Sequence, residues 1–526
     1  MNNHLKSLTL AAALLLSFAG CGRETPEPRP ARQPERKGGG GELRVILPLE
    51  PRVLDPNSMR DEAALVVAPS VFSKLVTLDV DARLLPQLAE SWTTSPDGRV
   101  YTFRLRDGVR WHDGHPFSAD DVRWSLTALG REPSFATEVF QRIAAIETPD
   151  PRTVVIRLRE PWSPFLSMLA WYGTYILPRH RQEARGAHGF QPGELPVGTG
   201  PFRVESWEPG RSITLAANRA YFRPGPYLDR VVYLLRSAGE GVDLLLAGQA
   251  DYFGVRPPVD RLPELARSPD LAILTRPSDS RFYCGFNLRR GPLADRRVRE
   301  AVNRAIDRKA LLEKAFAGYG APALGFYTPA VAWAYDAQAR VPDYDPERAR
   351  ALLDEAGLRP GPDGVRVRWD MVAPDILPIP DMVRVLAAQL REVGVEIRPV
   401  LLPLAEWAPR LLNNHDFDLG IMGGNQGPDP ENLNLRFGSR GPTQFMGYSS
   451  PELDAAVAEG SRAADLPRRA AAYFRAQRIL ARDLPIAPLA ESVYIAVMRR
   501  QVHGTPHAEA RGLVPNNDFS LVRLEP

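Results

Sequence analysis

The chain has 526 residues, 44% apolar and 25% charged, which excludes a mainly disordered polymer and leaves ample apolar surface for sizeable cores. Its 66 basic residues against 63 acidic ones give a net charge of +3, and such near-neutrality argues against a dedicated nucleic-acid binder, which usually carries a concentrated basic face. At roughly 150 residues per domain, the length predicts about three folding units.

The first predicted element is a leader. Leu8 to Ala19 (LTLAAALLLSFA) form a short apolar run behind Lys6, closed by Ala19-Gly20-Cys21. Such a run is too short to span a bilayer and reads as a cleaved secretory signal. Small residues directly before a cysteine resemble a bacterial lipobox, which predicts lipidation at Cys21. Residues 22–41, rich in Pro, Gly and charge, leave nothing to bury and read as a tether. The other cysteine, Cys284, has no intramolecular partner once Cys21 is lipidated and reads as a small buried apolar residue. No other segment reaches 18 apolar residues without charge, so no transmembrane helix is expected.

The body opens with a strand, Glu42 to Leu47, and a helix over Ala63 to Leu75. Tyr101 to Leu105 and Thr153 to Leu158 alternate with period two, as half-buried strands do. Between them Ser118 caps a helix with Asp120 and Asp121 in its first turn. Phe202 to Trp207, Ser212 to Leu215 and Arg230 to Leu235 read as further strands.

Past residue 275 the texture becomes helix–strand alternation. Asp295 is placed to cap one long helix to Phe316, with Val298, Ala301, Val302, Ala305 and Ile306 at helical spacing. Asp345-Pro346 starts a helix that runs to Glu355 and stops at Gly357. Arg366 to Val372 is a strand, Asp381 starts a helix ended by Gly394, and Val395 to Leu401 and Asp416 to Met422 are strands. This is the rhythm of a separate α/β lobe.

A set of motifs runs in order along the body. Leu54-Asp55-Pro56 comes first, then Leu85-Pro86, Leu88-Ala89-Glu90-Ser91-Trp92 and Ser95-Pro96-Asp97-Gly98. The block from Tyr101 to Trp111-His112-Asp113-Gly114 and Phe117 to Val122 follows. Val197-Gly198-Thr199-Gly200-Pro201-Phe202, Val298 to Val302, Ala305 to Arg308 and Asp429-Pro430 complete the set. In their order and spacing the sequence resembles the family 5 extracytoplasmic solute-binding proteins of peptide- and nickel-type ABC importers, over about residues 42–526. Trp111-His112-Asp113-Gly114-His115 invites a metal reading, but the resemblance makes it a strand-to-loop turn, with no metal and no cofactor expected.

The resemblance implies an α/β fold: a two-lobe, type II periplasmic-binding-protein clamp with an added subdomain. Lobe I would comprise 42–72, 196–276 and 491–526, the subdomain 73–195 and lobe II 277–490, behind a signal peptide (1–20) and an anchored linker (21–41). Two crossing strands, near Pro277 and near Ala490, would form the hinge. The expected partners are a small-molecule or peptide ligand, the transmembrane subunits of an ABC permease, and the membrane through the lipid. The protein is expected to be a monomer outside the cytoplasm, anchored to the cell membrane or outer membrane, with no nucleic-acid partner.

In peptide-binding relatives an acidic residue just before the Asp-Pro pair holds the ligand's α-ammonium, and here that position is Gln426, which carries no charge. Gly423 and Gly424 would widen the pocket beside it, with Asn425 between Gly424 and Gln426. Matching positions nominate Arg60, Asp61 and Glu62 on a cleft loop, and Val255 and Arg256 after Gly248-Gln249-Ala250-Asp251. They also nominate Tyr283 on the strand entering lobe II, Trp333 after Thr328-Pro329, and Trp407. Packing is the competing role for each aromatic, and a solvated loop for Arg60 to Glu62.

Peptides lead the expected ligands; nickel chelates, oligosaccharides and opine-like compounds follow, favoured by the missing acid. A signalling role for the same clamp is an alternative. An envelope hydrolase is disfavoured because the chain has no His-Glu-x-x-His, no Gly-x-Ser-x-Gly and no Walker loop.

Overall fold

The computed structural model describes residues 40–57, 61–79, 82–131, 137–171, 173–255, 257–505 and 518–525. Strand β1 (Glu42–Leu47) opens the body, and helix α1 (Glu62–Val71) follows. The helix stops four residues earlier than expected. The Val71 carbonyl is taken by the Gly200 N–H at 2.9 Å, and Phe72 turns extended. At Gly198 a side chain would meet the same carbonyl at 1.8 Å, so the Gly-Thr-Gly-Pro motif is there to let two backbones touch.

A four-stranded antiparallel sheet comes next: β2 (Ala89–Thr94), β3 (Val100–Leu105), β4 (Ile143–Asp150) and β5 (Thr153–Leu158), in the order β2-β3-β5-β4. Tyr101, Phe103 and Leu105 of β3 and Val154, Ile156 and Leu158 of β5 face one core, as their period-two spacing requires. Helix α2 (Ala119–Leu129) covers it, with the Ser118 N–H donating to Asp121 at 2.9 Å. This core is continuous with that of β1, so the small sheet and the start of the chain share one apolar interior.

The main sheet has eleven strands. Strands β6 (Phe202–Glu208), β7 (Ser212–Ala217) and β8 (Arg230–Leu235) bring the chain beside β1. Helix α3 (Ala238–Leu246) and the short β9 (Tyr252–Phe253) lead to β10 (Leu271–Phe286), sixteen residues long. The expected helix over 295–316 is two, α4 (Arg296–Arg304) and α5 (Arg308–Ala315). Asp307 breaks it by capping α5, accepting from the Lys309 and Ala310 N–H groups at 3.0 Å each. Helix α6 (Pro346–Glu355) starts at its Asp345 cap as expected, and Gly357 beyond it sits at φ +82°.

Strand β11 (Val367–Pro374), helix α7 (Ile379–Glu392) and strand β12 (Val395–Leu402) follow, with α7 starting two residues before Asp381. Strand β13 spans Leu419–Asn425, three residues beyond the expected segment. The Asp418 carboxylate accepts the Asp370 N–H at 2.9 Å, which makes the aspartates the entry to the strand and not its body. Helices α8 (Asn432–Phe437), α9 (Pro451–Arg462) and α10 (Leu466–Asp483) precede β14 (Ile486–Arg499), the second long strand.

The path across the sheet is β12-β11-β13-β10-β14-β9-β1-β8-β7-β6, with Ala321–Pro322 pairing off it onto β14. Strands β10 and β14 therefore join the two halves. They pair antiparallel from Leu271↔Arg499 to Gly285↔Ile486. In the second half, alternate β10 residues serve opposite faces. Cys284 and Phe286 enter the core beneath α4 to α7, and Tyr283 enters the core beneath α9 and α10. Burial pushes the Cys284 thiol up to about 12, in keeping with an inert apolar role.

Candidate functional site

The two halves touch at a turn. Gly427, just past β13, sits at φ +78°, and a Cβ there would lie 3.0 Å from the Trp171 ring. Trp171 belongs to the chain around the small sheet, so an aromatic from one half lies on backbone of the other. Beside this contact the Ser163 N–H donates to the Ser461 carbonyl at 2.8 Å, and Arg142 lies 3.9 Å from Glu431. Arg142 also stacks 4.5 Å from the Trp162 ring centroid. Lys74 braces the Trp171 segment from behind, donating to the Ala170 carbonyl at 3.0 Å with its ammonium 4.5 Å from the Tyr175 ring centroid. Burial lowers its pKa to about 7.

The second-half wall of this junction is tightly paired. Both oxygens of Asp429 accept from the Arg469 guanidinium, at 2.7 and 2.8 Å, with the carboxylate fully buried. Arg469 in turn faces the rings of Trp333 and Tyr473 at 5.0 and 5.8 Å. Tyr327 donates to the Gly427 carbonyl at 3.0 Å and fixes the turn.

The floor is built differently. Strand β10 bulges between Pro277↔Val493 and Arg281↔Glu491, so residues 278–280 oppose Ser492 alone. The carbonyl of Asp279 in this bulge accepts the Gln426 N–H at 2.7 Å. Its carboxylate is fully buried; Oδ1 accepts the Tyr494 hydroxyl at 3.1 Å, while Oδ2 has no hydrogen-bond partner among the described residues. Burial pushes its pKa up to about 6, against the pull of the Tyr494 hydroxyl and the Gly427 N–H. One step along, the Arg281 guanidinium meets Glu491 at 3.1 Å and the Gly325 carbonyl at 2.7 Å, leaving its Nε, its Nη1 and the Glu491 Oε2 without hydrogen-bond partners among the described residues.

The residues nominated from sequence are distributed over several surroundings. Gln426 is buried in the junction, but its side-chain amide turns back to donate to the Gly424 carbonyl at 2.8 Å. Gly424 has open space where a side chain would be, at φ +120°. Gly423 does not widen a pocket; the Phe282 ring fills the place of its Cβ, 2.4 Å away. Asn425 is half-buried and its carbonyl accepts from Arg436 at 2.7 Å. Tyr283 is core, between Phe437 and Phe445, with its hydroxyl 3.0 Å from the Met422 sulfur.

Trp333 packs edge-on against Tyr473. Trp407, in the short helix Leu404–Ala408, is half-buried, and its indole N–H has no partner among the described residues. Asp61 caps α1, accepting the Ala64 N–H at 3.1 Å, and Glu62 stands half-buried in its first turn. Val255 packs on the first-half core. Arg60, Arg256 and Cys21 lie outside the described residues, as do the signal segment and nearly all of the tether.

The His-Asp-Gly-His turn is structural at its first histidine. The His112 Nδ1 accepts the Gly198 N–H at 3.2 Å and its Nε2 donates to the Gly200 carbonyl at 3.0 Å. Burial lowers its pKa to about 4, which keeps it neutral and joined to the glycine motif. Among the described residues no three His, Cys, Asp or Glu side chains are grouped to hold a metal, and no helix is long and apolar enough to cross a membrane.

Sequence reasoning did not single out Trp171, Lys74, Asp279 or Arg469. For Trp171 a signal existed, in the aromatic run Trp171-Tyr172-Gly173-Thr174-Tyr175. Asp279 sits in Ser278-Asp279-Ser280, a string indistinguishable from a surface turn.

Comparison with known proteins agrees with this architecture. Residues 83–444 match the model of the bacterial extracellular solute-binding proteins, family 5. The glutathione-binding protein GsiB of Salmonella typhimurium is 30% identical over 483 residues, covering 89% of this chain and 91% of that protein. The periplasmic binding protein DppA of Helicobacter pylori, solved with the peptide STSA, superposes with a TM-score of 0.77 at 24% identity, over 93% of this chain and 99% of the other. NikZ of Campylobacter jejuni, solved with Ni(L-His), superposes with a TM-score of 0.75 at 25% identity, over 90% of this chain and 97% of the other.

Proposed function

The chain belongs to family 5 of the bacterial extracellular solute-binding proteins, and from that premise we propose that it captures a peptide or peptide-like solute between its two lobes for delivery to an ABC permease. Lobe I takes 42–72, 196–276 and 491–526, the subdomain 73–195 packs on it, and lobe II is 277–490, with β10 and β14 as the hinge. The solute touches both lobes only when they are closed, so binding shifts the population toward the closed form by that difference in contacts. No bond in the solute is made or broken. The mature protein is a lipid-anchored monomer outside the cytoplasm, held through Cys21 and the segment to residue 41.

The observation that carries this reading is the junction of Trp171 on Gly427 above a buried polar floor, in a chain 30% identical to a glutathione-binding protein over most of its length. The test is calorimetry of the purified mature protein with glutathione and with Ala-Ala-Ala, joined to small-angle scattering. Micromolar or tighter binding with a fall in radius of gyration is expected. Affinity for nickel–histidine or an opine with none for either peptide would replace the peptide reading, and turnover of a bound peptide would end the carrier reading.

A further inference from the structure

The floor of the junction holds a fully buried carboxylate, whose ionised form burial opposes more strongly than the Tyr494 hydroxyl, the Gly427 N–H and the Arg276 charge favour it. Asp279 lies in the β10 bulge, in a fully buried place, with one oxygen on the Tyr494 hydroxyl of β14 and the other without a hydrogen-bond partner among the described residues. A buried charge left half-satisfied costs several times a lost neutral hydrogen bond, so it calls for a cation. The charged and titratable groups around it are few. Arg276, on the same strand, lies over the Tyr494 ring, 5.0 Å away, and its charge reaches Asp279 through space, favouring the ionised carboxylate. Tyr494 itself comes from β14, and Tyr327 comes from the loop that holds Gly427. The better-paired Asp429 accepts two hydrogen bonds from the Arg469 guanidinium.

Three properties narrow the cation. A metal ion would want further oxygen or nitrogen ligands, and among the described residues no such group of acidic or histidine side chains exists. A guanidinium would want a bidentate carboxylate, and here one oxygen is already engaged by Tyr494. A primary ammonium wants one strong acceptor, and aromatic faces nearby suit its remaining charge; Tyr327 and Trp171 both border Gly427. The neutral Gln426 is tied by its backbone N–H to the Asp279 carbonyl and by its side chain to Gly424, so it offers no charge of its own.

We propose that Asp279, on the crossing strand, receives the free amino group of the solute, so that the ligand's positive charge is held at the hinge between β10 and β14. This rests on the peptide-like reading above and adds that the solute must present an unblocked primary amine. Because the acceptor belongs to the strand that joins the lobes, amine recognition and lobe closure involve the same backbone.

The test is calorimetry with two probes, glutathione and N-acetylglutathione, on the wild type and on Asp279→Asn, with thermal melts to establish that the variant folds. Wild type should prefer the free amine at least thirtyfold. Asp279→Asn should lose at least thirtyfold for glutathione and change less than threefold for the acetylated probe. Equal affinity of wild type for both probes, or a variant within threefold of wild type for glutathione, overturns the inference and leaves the peptide reading standing. Binding of neither probe nor Ala-Ala-Ala overturns both. Should the variant not fold, proton release from the wild type decides. A carboxyl near pKa 6 that meets an ammonium should release up to about half a proton per glutathione at pH 6, read by calorimetry in two buffers. Release indistinguishable from zero overturns the inference.

Discussion

Two buried carboxylates a short distance along the same junction show how differently one fold uses one chemistry. Asp429, in the wall of the second half, is saturated by Arg469, which is itself packed between aromatic rings. Asp279, in the floor, has one oxygen without a hydrogen-bond partner among the described residues. The wall is held together by its own side chains, whereas the floor is incomplete until something else arrives. In a clamp, complete polar pairing marks what must stay rigid and incomplete pairing marks what waits for the solute.

The sharpest way to break this contrast is to unpair the wall. Asp429→Ala leaves the Arg469 guanidinium buried without its carboxylate, and urea unfolding should report a loss of about 3–5 kcal/mol. A loss under about 1 kcal/mol would mean that the wall is no better satisfied than the floor.

Lys74 extends the contrast to the first half, since it is a buried cation with a carbonyl and a ring for company. Its pKa falls from 10.5 to about 7 through burial, so between those values the unfolded chain binds more protons than the folded one. Stability therefore rises with pH across that window, by at most about 1.4 kcal/mol per pH unit. Lys74→Met should flatten the slope of urea midpoints measured from pH 7 to 10 and stabilise the protein most at the acid end. An unchanged slope would show that Lys74 keeps its ordinary proton affinity.

Gly427→Ala sharpens the contact between the halves. A methyl group at φ +78° lies in the left-handed region and would meet Trp171 and the Asn432 amide. Stability should fall by about 1–2 kcal/mol, and glutathione should bind about tenfold more weakly because the lobes no longer close fully. Unaltered affinity would place the closing contact elsewhere. Arg142→Met removes the partly exposed pair with Glu431 and should cost less than about 1 kcal/mol, with a dependence on salt.

Much of the fold was legible because its period was regular. Strands β3 and β5 alternate cleanly, and α6 carries both its cap and its stop. Errors arose where tertiary contacts overrule local pattern. The Asp307 cap divides an unbroken helical spacing, and Gly200 ends α1 by taking the Val71 carbonyl. The site was less legible. Gln426 could be found by counting from Asp429-Pro430, and it does sit in the junction. Its orientation could not, because a side chain folding back on Gly424 leaves no trace in spacing. Asp279 was hidden for a related reason: a bulge in a sixteen-residue strand shows itself only through register with its neighbours. Gly423 was misjudged because glycine next to a cleft and glycine beneath a phenylalanine look alike in one dimension.

The pairing of β10 with β14 through both halves has a bearing on how such proteins can be recombined. Each long strand contributes its early residues to one core and its late residues to another, so neither half owns a full complement of strands. A chimera that borrows the second half of a relative must import both crossing segments as one cassette. Cut anywhere between residues 271 and 286, the graft would join mismatched bulges and inherit the neighbour's preference without the floor that supports it.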